Sequence, residues 1–294
     1  MKYIITGSLG NISKPLTQKL VAAGHDVTVV TSKENRKAEI EALGAKAAVG
    51  SISDVAFLTH TFKGADAVYA MIPPTLEPSD WKGYIGKMGQ NYADAIQAAG
   101  VKKVVHLSSI GAHLAEGVGP VSGIHRSEVA LNKLEGVDIK HLRPGNFYTN
   151  LYANIGMIKG AGIIGGNYGE DTKIVLVHPA DIATAVFEEL TSLSFTGKTV
   201  RYVVSDERST TEIAKVLGTA IGKADLPWIN FSDEEALAGA IGAGLPEEIA
   251  KNYIEMGTSI RSGKMFEDYR KHPTTLSKTK LEDFAKEFAG AFKA

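Results

Sequence analysis

The stretch Tyr3-Ile-Ile-Thr-Gly-Ser-Leu-Gly-Asn-Ile-Ser13 decides the fold. A short apolar run, Tyr3–Thr6, enters the turn Gly7–Asn11, and Ile12–Ala23 reads as a helix closed by Gly24. A strand that runs through glycines straight into a helix is the phosphate-binding corner of a dinucleotide-binding βαβ unit. Gly7 permits the tight turn, and Gly10 lets the backbone approach a pyrophosphate. The helix start offers unpaired N–H groups and the positive end of its dipole to the anion. In the spacing Gly-x-x-Gly-x-x-Ser the third position, usually glycine for close helix–strand packing, is the small Ser13. Gly7, Ser8, Leu9, Gly10, Asn11 and Ile12 are therefore expected against the cofactor. A strand–helix turn without nucleotide is the plain alternative.

Strand-like and helix-like segments alternate onward from this corner. Strands are expected at Asp26–Thr31, Ala47–Val49, Ala67–Ile72, Lys103–Leu107 and Ile139–Leu142. Helices are expected at Lys33–Leu43, Asp54–Phe62, Tyr84–Ala99 and Val121–Leu134. This alternation predicts a Rossmann-type, doubly wound parallel sheet. Past residue 150 the pattern loosens. Gly160–Gly169 reads as a glycine-rich loop, Lys173–Val177 and Val200–Val204 as strands, and Ala180–Leu193 and Thr210–Ile221 as helices. Asp233–Gly242, Pro246–Met256 and Lys280–Phe292 read as helical. The expected organisation is a cofactor domain over 1–150, with segments from about 173–205 returning to it. A smaller, mostly helical substrate or lid region follows over 206–294.

The bulk numbers exclude several classes. The chain has 294 residues, 44% apolar and 22% charged, with a net charge of −1. That balance gives no reason to expect nucleic acid or a membrane as partner. The chain contains no cysteine, which rules out disulfides, thiolate nucleophiles and Cys-ligated metals and fits a cytoplasmic setting. No apolar run reaches the roughly 18–20 residues of a membrane span. The chain has eight histidines but no His-Glu-x-x-His, so no metal site is expected. Asp54 and Asp181 read as helix-start residues. Gly-x-Ser-x-Gly is absent, which argues against an α/β-hydrolase.

The end of the second strand separates NADP(H) from NAD(H). An NAD site places an acidic residue there to hold the ribose hydroxyls. Here the chain reads Val30-Thr31-Ser32-Lys33-Glu34-Asn35-Arg36. Ser32, Lys33 and Arg36 suit a 2′-phosphate, and Glu34 is expected in the first turn of the next helix. NADP(H) is thus expected rather than NAD(H), with a solvated helix start as the plain reading of Lys33 and Arg36.

Several stretches carry a wider likeness. They are Thr6–Gly10, Val49–Asp54, Val104–Gly111, His125–Glu128, Leu142–Phe147 with Asn150, and His178–Ala183. Together they resemble the atypical short-chain dehydrogenases/reductases of the NmrA-like group, in particular its NAD(P)H:quinone oxidoreductases. The resemblance covers nearly the whole chain. It implies Ser51 and Ile52 near the adenine, and Met71, Ile72 and Pro73 along the ribose and nicotinamide side. It also implies Ser108 and Ser109 beneath the nicotinamide, with Pro144, Asn146 and Phe147 closing the far side. Pro74, Ile110, Phe147, Tyr148 and Met256 are expected to line a substrate pocket, although aromatics and Met are commonly plain core.

The sequence departs from the wider family at the Tyr-x-x-x-Lys pair. Val121 stands at the tyrosine's place and His125 at the lysine's. Reduction of an isolated ketone needs a proton donor, whereas a quinone gives a stabilised anion and needs mainly proximity and orientation. His125 is a candidate to stabilise or protonate that anion, or simply to hydrogen-bond the cofactor ribose. The reading is an NADPH-dependent oxidoreductase acting on a planar aromatic or quinone acceptor. The alternative is an NADP(H)-binding redox sensor with little catalysis that presents its lid to a protein partner.

Overall fold

The computed structural model describes residues 1–272 and 274–294. Its first half alternates β1 (Lys2–Ile5), α1 (Ser13–Ala22), β2 (Asp26–Thr31), α2 (Lys37–Ala42), β3 (Lys46–Val49), α3 (Val55–Phe62) and β4 (Ala67–Ala70). There follow α4 (Trp81–Ala99), β5 (Lys103–Leu107), α5 (Pro120–Asn132) and β6 (Asp138–Pro144). The second half contains β7 (Asn146–Phe147), α6 (Ile155–Ala161), β8 (Ile164–Gly166), β9 (Lys173–Val177), α7 (Pro179–Ser192) and β10 (Lys198–Val203). It continues with β11 (Asp206–Ser209), α8 (Thr210–Ala220), β12 (Trp228–Asn230), α9 (Asp233–Gly242), α10 (Glu247–Arg261), α11 (Glu267–Arg270) and α12 (Leu281–Lys293).

The main sheet has seven strands in the order β10-β6-β5-β4-β1-β2-β3, every pairing parallel. The chain order reverses between β1 and β4, and a crevice at such a switch point is where this architecture holds ligands. The short strands are covered on both faces, as their unbroken apolar runs require. Leu16, Leu20, Ile182 and Val186 from α1 and α7 pack on one face. Leu58, Tyr92, Ile96 and Leu131 from α3, α4 and α5 pack on the other. Local chemistry fixes the helix ends. Asp54 caps α3 by accepting from Phe57 N at 3.0 Å, and Gly100 ends α4 at φ 71°. Capping boxes at Ser209/Glu212 and Ser232/Glu235 start α8 and α9.

A buried polar chain joins α5 to the sheet. His106 on β5 and His141 on β6 bring their Nδ1 atoms to 3.0 Å. His141 Nε2 meets Asn132 Oδ1 at 2.9 Å, and His106 Nε2 meets Ser127 Oγ at 3.2 Å. The Asn132 oxygen only accepts, so His141 carries its proton on Nε2 and leaves Nδ1 bare. His106 then donates from Nδ1, and its Nε2 accepts from the Ser127 hydroxyl. Burial is the main force holding both rings neutral. The His141 ring also disfavours the charged form of His106, as the Arg143 and Lys198 cations do for His141.

Two expectations for the second half need correction. Gly160–Gly169 is not a plain loop: α6 extends to Ala161, and Ile164–Gly166 forms a parallel pair with β12. Glycine serves packing there, because a Cβ on Gly165 would lie 2.3 Å from the Ile229 carbonyl oxygen. Of the segments expected to return to the main sheet, only β10 does so, beside β6. Lys173–Val177 is a strand, but it joins β7 and β11 in a separate three-stranded sheet. Gly145 permits this approach, since a Cβ there would lie 2.7 Å from the Val175 carbonyl oxygen. Among the described residues no helix is long and apolar enough to cross a membrane.

Candidate cofactor site

The β1–α1 turn is built around Gly7. Its φ is +90°, and a Cβ there would lie 2.6 Å from both Met71 Sδ and Ser13 Oγ. Close packing, assigned from the sequence to the third position of the motif, is thus shared by Gly7 and Ser13. Ser13 donates to the Thr6 carbonyl at 2.8 Å and so stitches the helix start to β1. Gly10 N donates to Gly7 O at 3.1 Å and closes the turn. The N–H groups of Asn11 and Ile12 take no part in that closure. Asn11 is exposed, whereas the Ile12 side chain is buried.

A cleft of about 520 Å³ opens over this turn. Gly7, Ser8, Leu9, Gly10, Ser32, Lys33, Arg36, Ser51, Ile52, Pro73 and Pro74 line it, all singled out from the sequence. Val30, Thr31, Gly50, Thr75, Glu77 and Tyr84 also line it and were not assigned to the cofactor. Thr31 is legible only in three dimensions: its hydroxyl meets Ser8 Oγ at 3.0 Å and the Lys33 N–H at 3.2 Å, tying the ends of β1 and β2 together. Lys33 and Arg36 are the cations of the lining, and Glu77 is its one carboxylate among the described residues. Arg36 also pairs with Glu39 at 3.0 Å, and Lys14 reaches Glu39 at 2.9 Å. The Lys14 hydrogen bond, with Arg36 adding to it, holds the Glu39 carboxyl below its usual range. Glu34 lies in the first turn after β2 and is exposed.

Met71 and Ile72 leave β4 toward the switch point. Met71 is locked by Thr6, whose Oγ1 accepts from Met71 N at 2.8 Å, and by the Tyr92 hydroxyl, which donates to its carbonyl at 2.6 Å. Ile72 is half-buried beside Trp81 and Ile85. The remaining expected residues cluster at the ends of β5 and β6. Ser109 donates to the Ile110 carbonyl at 3.0 Å. His125 Nδ1 lies 2.8 Å from the Ala112 carbonyl oxygen. That oxygen only accepts, so the proton sits on Nδ1 and Nε2 is left as the free position. Pro144 ends β6, and its carbonyl accepts from Ile110 N at 2.9 Å. Asn146 Nδ2 is buried with no hydrogen-bond partner among the described residues. Phe147 is half-buried against the core of the main sheet.

Ile110, Tyr148 and Met256 are packed into the core of the C-terminal half. Tyr148 is fully buried and stacks on Phe284, ring centroids 5.3 Å apart. These three side chains face packed protein rather than an open pocket. Pro74, by contrast, is exposed in the cofactor cleft.

The sequence does not show that Ser108, Glu128 and Arg143 meet in one buried network at this end. The Ser108 hydroxyl donates to Glu128 Oε1. Arg143 grips the same carboxylate through Nε at 3.0 Å and a terminal nitrogen at 2.7 Å. Its other terminal nitrogen reaches Asp268 Oδ2 at 3.0 Å and the Tyr202 hydroxyl at 3.3 Å. Tyr202 in turn donates to Asp268.

Residues 7–150 match a family model described as NAD(P)H-binding. The first half of the chain is an NAD(P)H-binding domain. Among curated proteins, a (4-alkanoyl-5-oxo-2,5-dihydrofuran-3-yl)methyl phosphate reductase of Streptomyces griseus is 24% identical over 266 residues, 88% of this chain and 87% of the relative. Among solved structures, an NADPH-dependent quinone oxidoreductase from Escherichia coli, complexed with NADPH, is similar with a TM-score of 0.82 at 21% identity, over 97% of this chain and 99% of that one. A triphenylmethane reductase of Citrobacter sp., complexed with NADP(H), has a TM-score of 0.81 at 20% identity, over 98% of this chain and 100% of that one. At these identities the structures establish the fold. Together with the family match they bear out the resemblance to the atypical short-chain dehydrogenases/reductases. The cleft described above belongs to this NAD(P)H-binding domain, with Gly7 and Gly10 on its floor.

Proposed function

We propose that the protein is an NADPH-dependent reductase of a planar, conjugated acceptor such as a quinone. One observation carries the cofactor assignment: at the end of β2 the cleft presents Ser32, Lys33 and Arg36 and no carboxylate. That is the lining a 2′-phosphate requires and a free ribose diol does not. The relatives support the chemistry, since each is a reductase by name and two are complexes with NADPH or NADP(H).

The residues fit the group. The Gly7 turn would seat the pyrophosphate, Ser51 and Ile52 would border the adenine, and Asn146 has a buried amide that needs an acceptor. Bound NADPH supplies a hydride equivalent to the acceptor. The protein's part is to hold the two rings together, exclude water and stabilise the product anion. His125, fixed by Ala112, offers Nε2 as a hydrogen-bonding position at that end of the site.

The sensor reading has one observation of its own. Ile110, Tyr148 and Met256 pack the place where the acceptor pocket was expected. Steady-state oxidation of NADPH and NADH with a panel of quinones separates the two readings. Saturable turnover that favours NADPH supports the reductase. Tight NADPH binding with no turnover of any acceptor supports the sensor.

A further inference from the structure

The Ser108 hydroxyl has a fixed polarity. A hydroxyl has one proton and two acceptor positions, and here the proton is committed to Glu128. Glu128 accepts that hydrogen bond through Oε1. Arg143 donates to both oxygens of the same carboxylate in a bidentate grip, so Ser108 is the hydroxyl donor to an oxygen that already accepts from a guanidinium. Ser108 is buried, and with its proton committed it has only oxygen lone pairs left to offer a ligand.

The position of Ser108 gives this polarity a consequence. The cleft accounts for the ends of β1, β2 and β3, where the phosphates and the adenosine half of a dinucleotide fit. The other half must cross the switch point over β4 toward the end of β5, where Ser108 follows Leu107. The nicotinamide half ends in a carboxamide, whose NH2 is a donor. We propose that Ser108, held as an acceptor by Glu128 and Arg143, receives a hydrogen bond from the carboxamide of NADPH. Asp268 and Tyr202 act as positioning residues that hold Arg143 from the C-terminal region. The proposal rests on the NADPH reading above and makes Ser108 a ring-orienting group that cannot protonate the acceptor.

The test compares the affinities of NADPH and its acetylpyridine analogue, in which a methyl ketone without N–H replaces the carboxamide. The readout is calorimetric and independent of turnover. The wild type should bind NADPH about threefold or more tightly than the analogue, the worth of one net hydrogen bond. Ser108→Ala should collapse that ratio toward one. Asp268→Asn, at the partly exposed outer end of the network, and Tyr202→Phe, buried beside it, should each narrow it. Asp268→Asn should have no further effect on it in the Ser108→Ala background. A merely structural role would lower both affinities together and leave the ratio unchanged. An unchanged ratio in Ser108→Ala, or equal losses for both ligands in Asp268→Asn with native circular dichroism, overturns the proposal. A wild type that binds neither ligand removes the NADPH reading itself, an outcome distinct from an unchanged ratio.

Discussion

His106 and His141 place their Nδ1 atoms 3.0 Å apart, each ring buried and each neutral. Two imidazoles can share that contact only while at least one nitrogen is bare. Burial holds both pKa values down at about 3, against about 6.5 in an unfolded chain. Between those values the unfolded state binds more protons than the folded state, so stability falls as pH drops below about 6.5. The expected loss between pH 7 and pH 5 is about 2 kcal/mol for each histidine, so on the order of 4 kcal/mol for the pair. Urea midpoints measured across that range check it, and a midpoint independent of pH would refute the neutral pair.

Gly7→Ala should damage both fold and binding. The new Cβ meets Met71 and Ser13 at 2.6 Å on a backbone at φ +90°. Strain and overpacking of this kind cost about 1–3 kcal/mol. NADPH affinity should fall by at least about tenfold, because the turn that presents N–H groups to the phosphates must shift. Thermal denaturation and calorimetry read the two effects separately.

Much of this was legible in the sequence, and the reason is local. The β1–α1 corner, the β-branched run of β2 and the capping aspartate of α3 are each set by near neighbours. The cleft lining from Gly7 to Pro74 followed because strand ends on a parallel sheet converge on one crevice. The Ser108–Glu128–Arg143–Asp268 network was illegible. Its members lie far apart in sequence and meet only when β5, α5, β6 and α11 are assembled. The burial of Tyr148 was equally hidden, because an aromatic suited to a pocket and one suited to a core read alike. Gly160–Gly169 misled for a related reason: its glycines serve a close approach between backbones, not chain reversal alone.

Lys33→Ala and Arg36→Ala should each weaken NADPH binding by about tenfold or more, the worth of a charge-assisted hydrogen bond, and leave NADH binding little changed. The loss should shrink as salt rises, since both side chains are exposed. Parallel titrations with the two cofactors would contradict the 2′-phosphate assignment if NADH affinity fell equally.

Tyr148 and Phe284 test the packed-core placement. Tyr148→Phe removes a hydroxyl whose one hydrogen bond among the described residues, to the Thr279 carbonyl, is 3.5 Å long. It should change kcat/KM by less than about twofold, since a contact that long contributes little. Phe284→Ala deletes a fully buried ring against Tyr148, Tyr152 and Phe288. It should cost about 3–5 kcal/mol, read from denaturant midpoints. A large activity loss in Tyr148→Phe with unchanged stability would return that residue to the acceptor site.

The most direct measurement follows single-turnover oxidation of NADPH by a quinone, with the transferable hydrogen at C4 of the nicotinamide replaced by deuterium. Saturation in quinone, a rate slowed by deuterium at the transferred position, and slower reaction with NADH at equal concentration are expected. Tight NADPH binding with no oxidation by any quinone would contradict the reductase reading, and the protein would then be a cofactor-binding sensor.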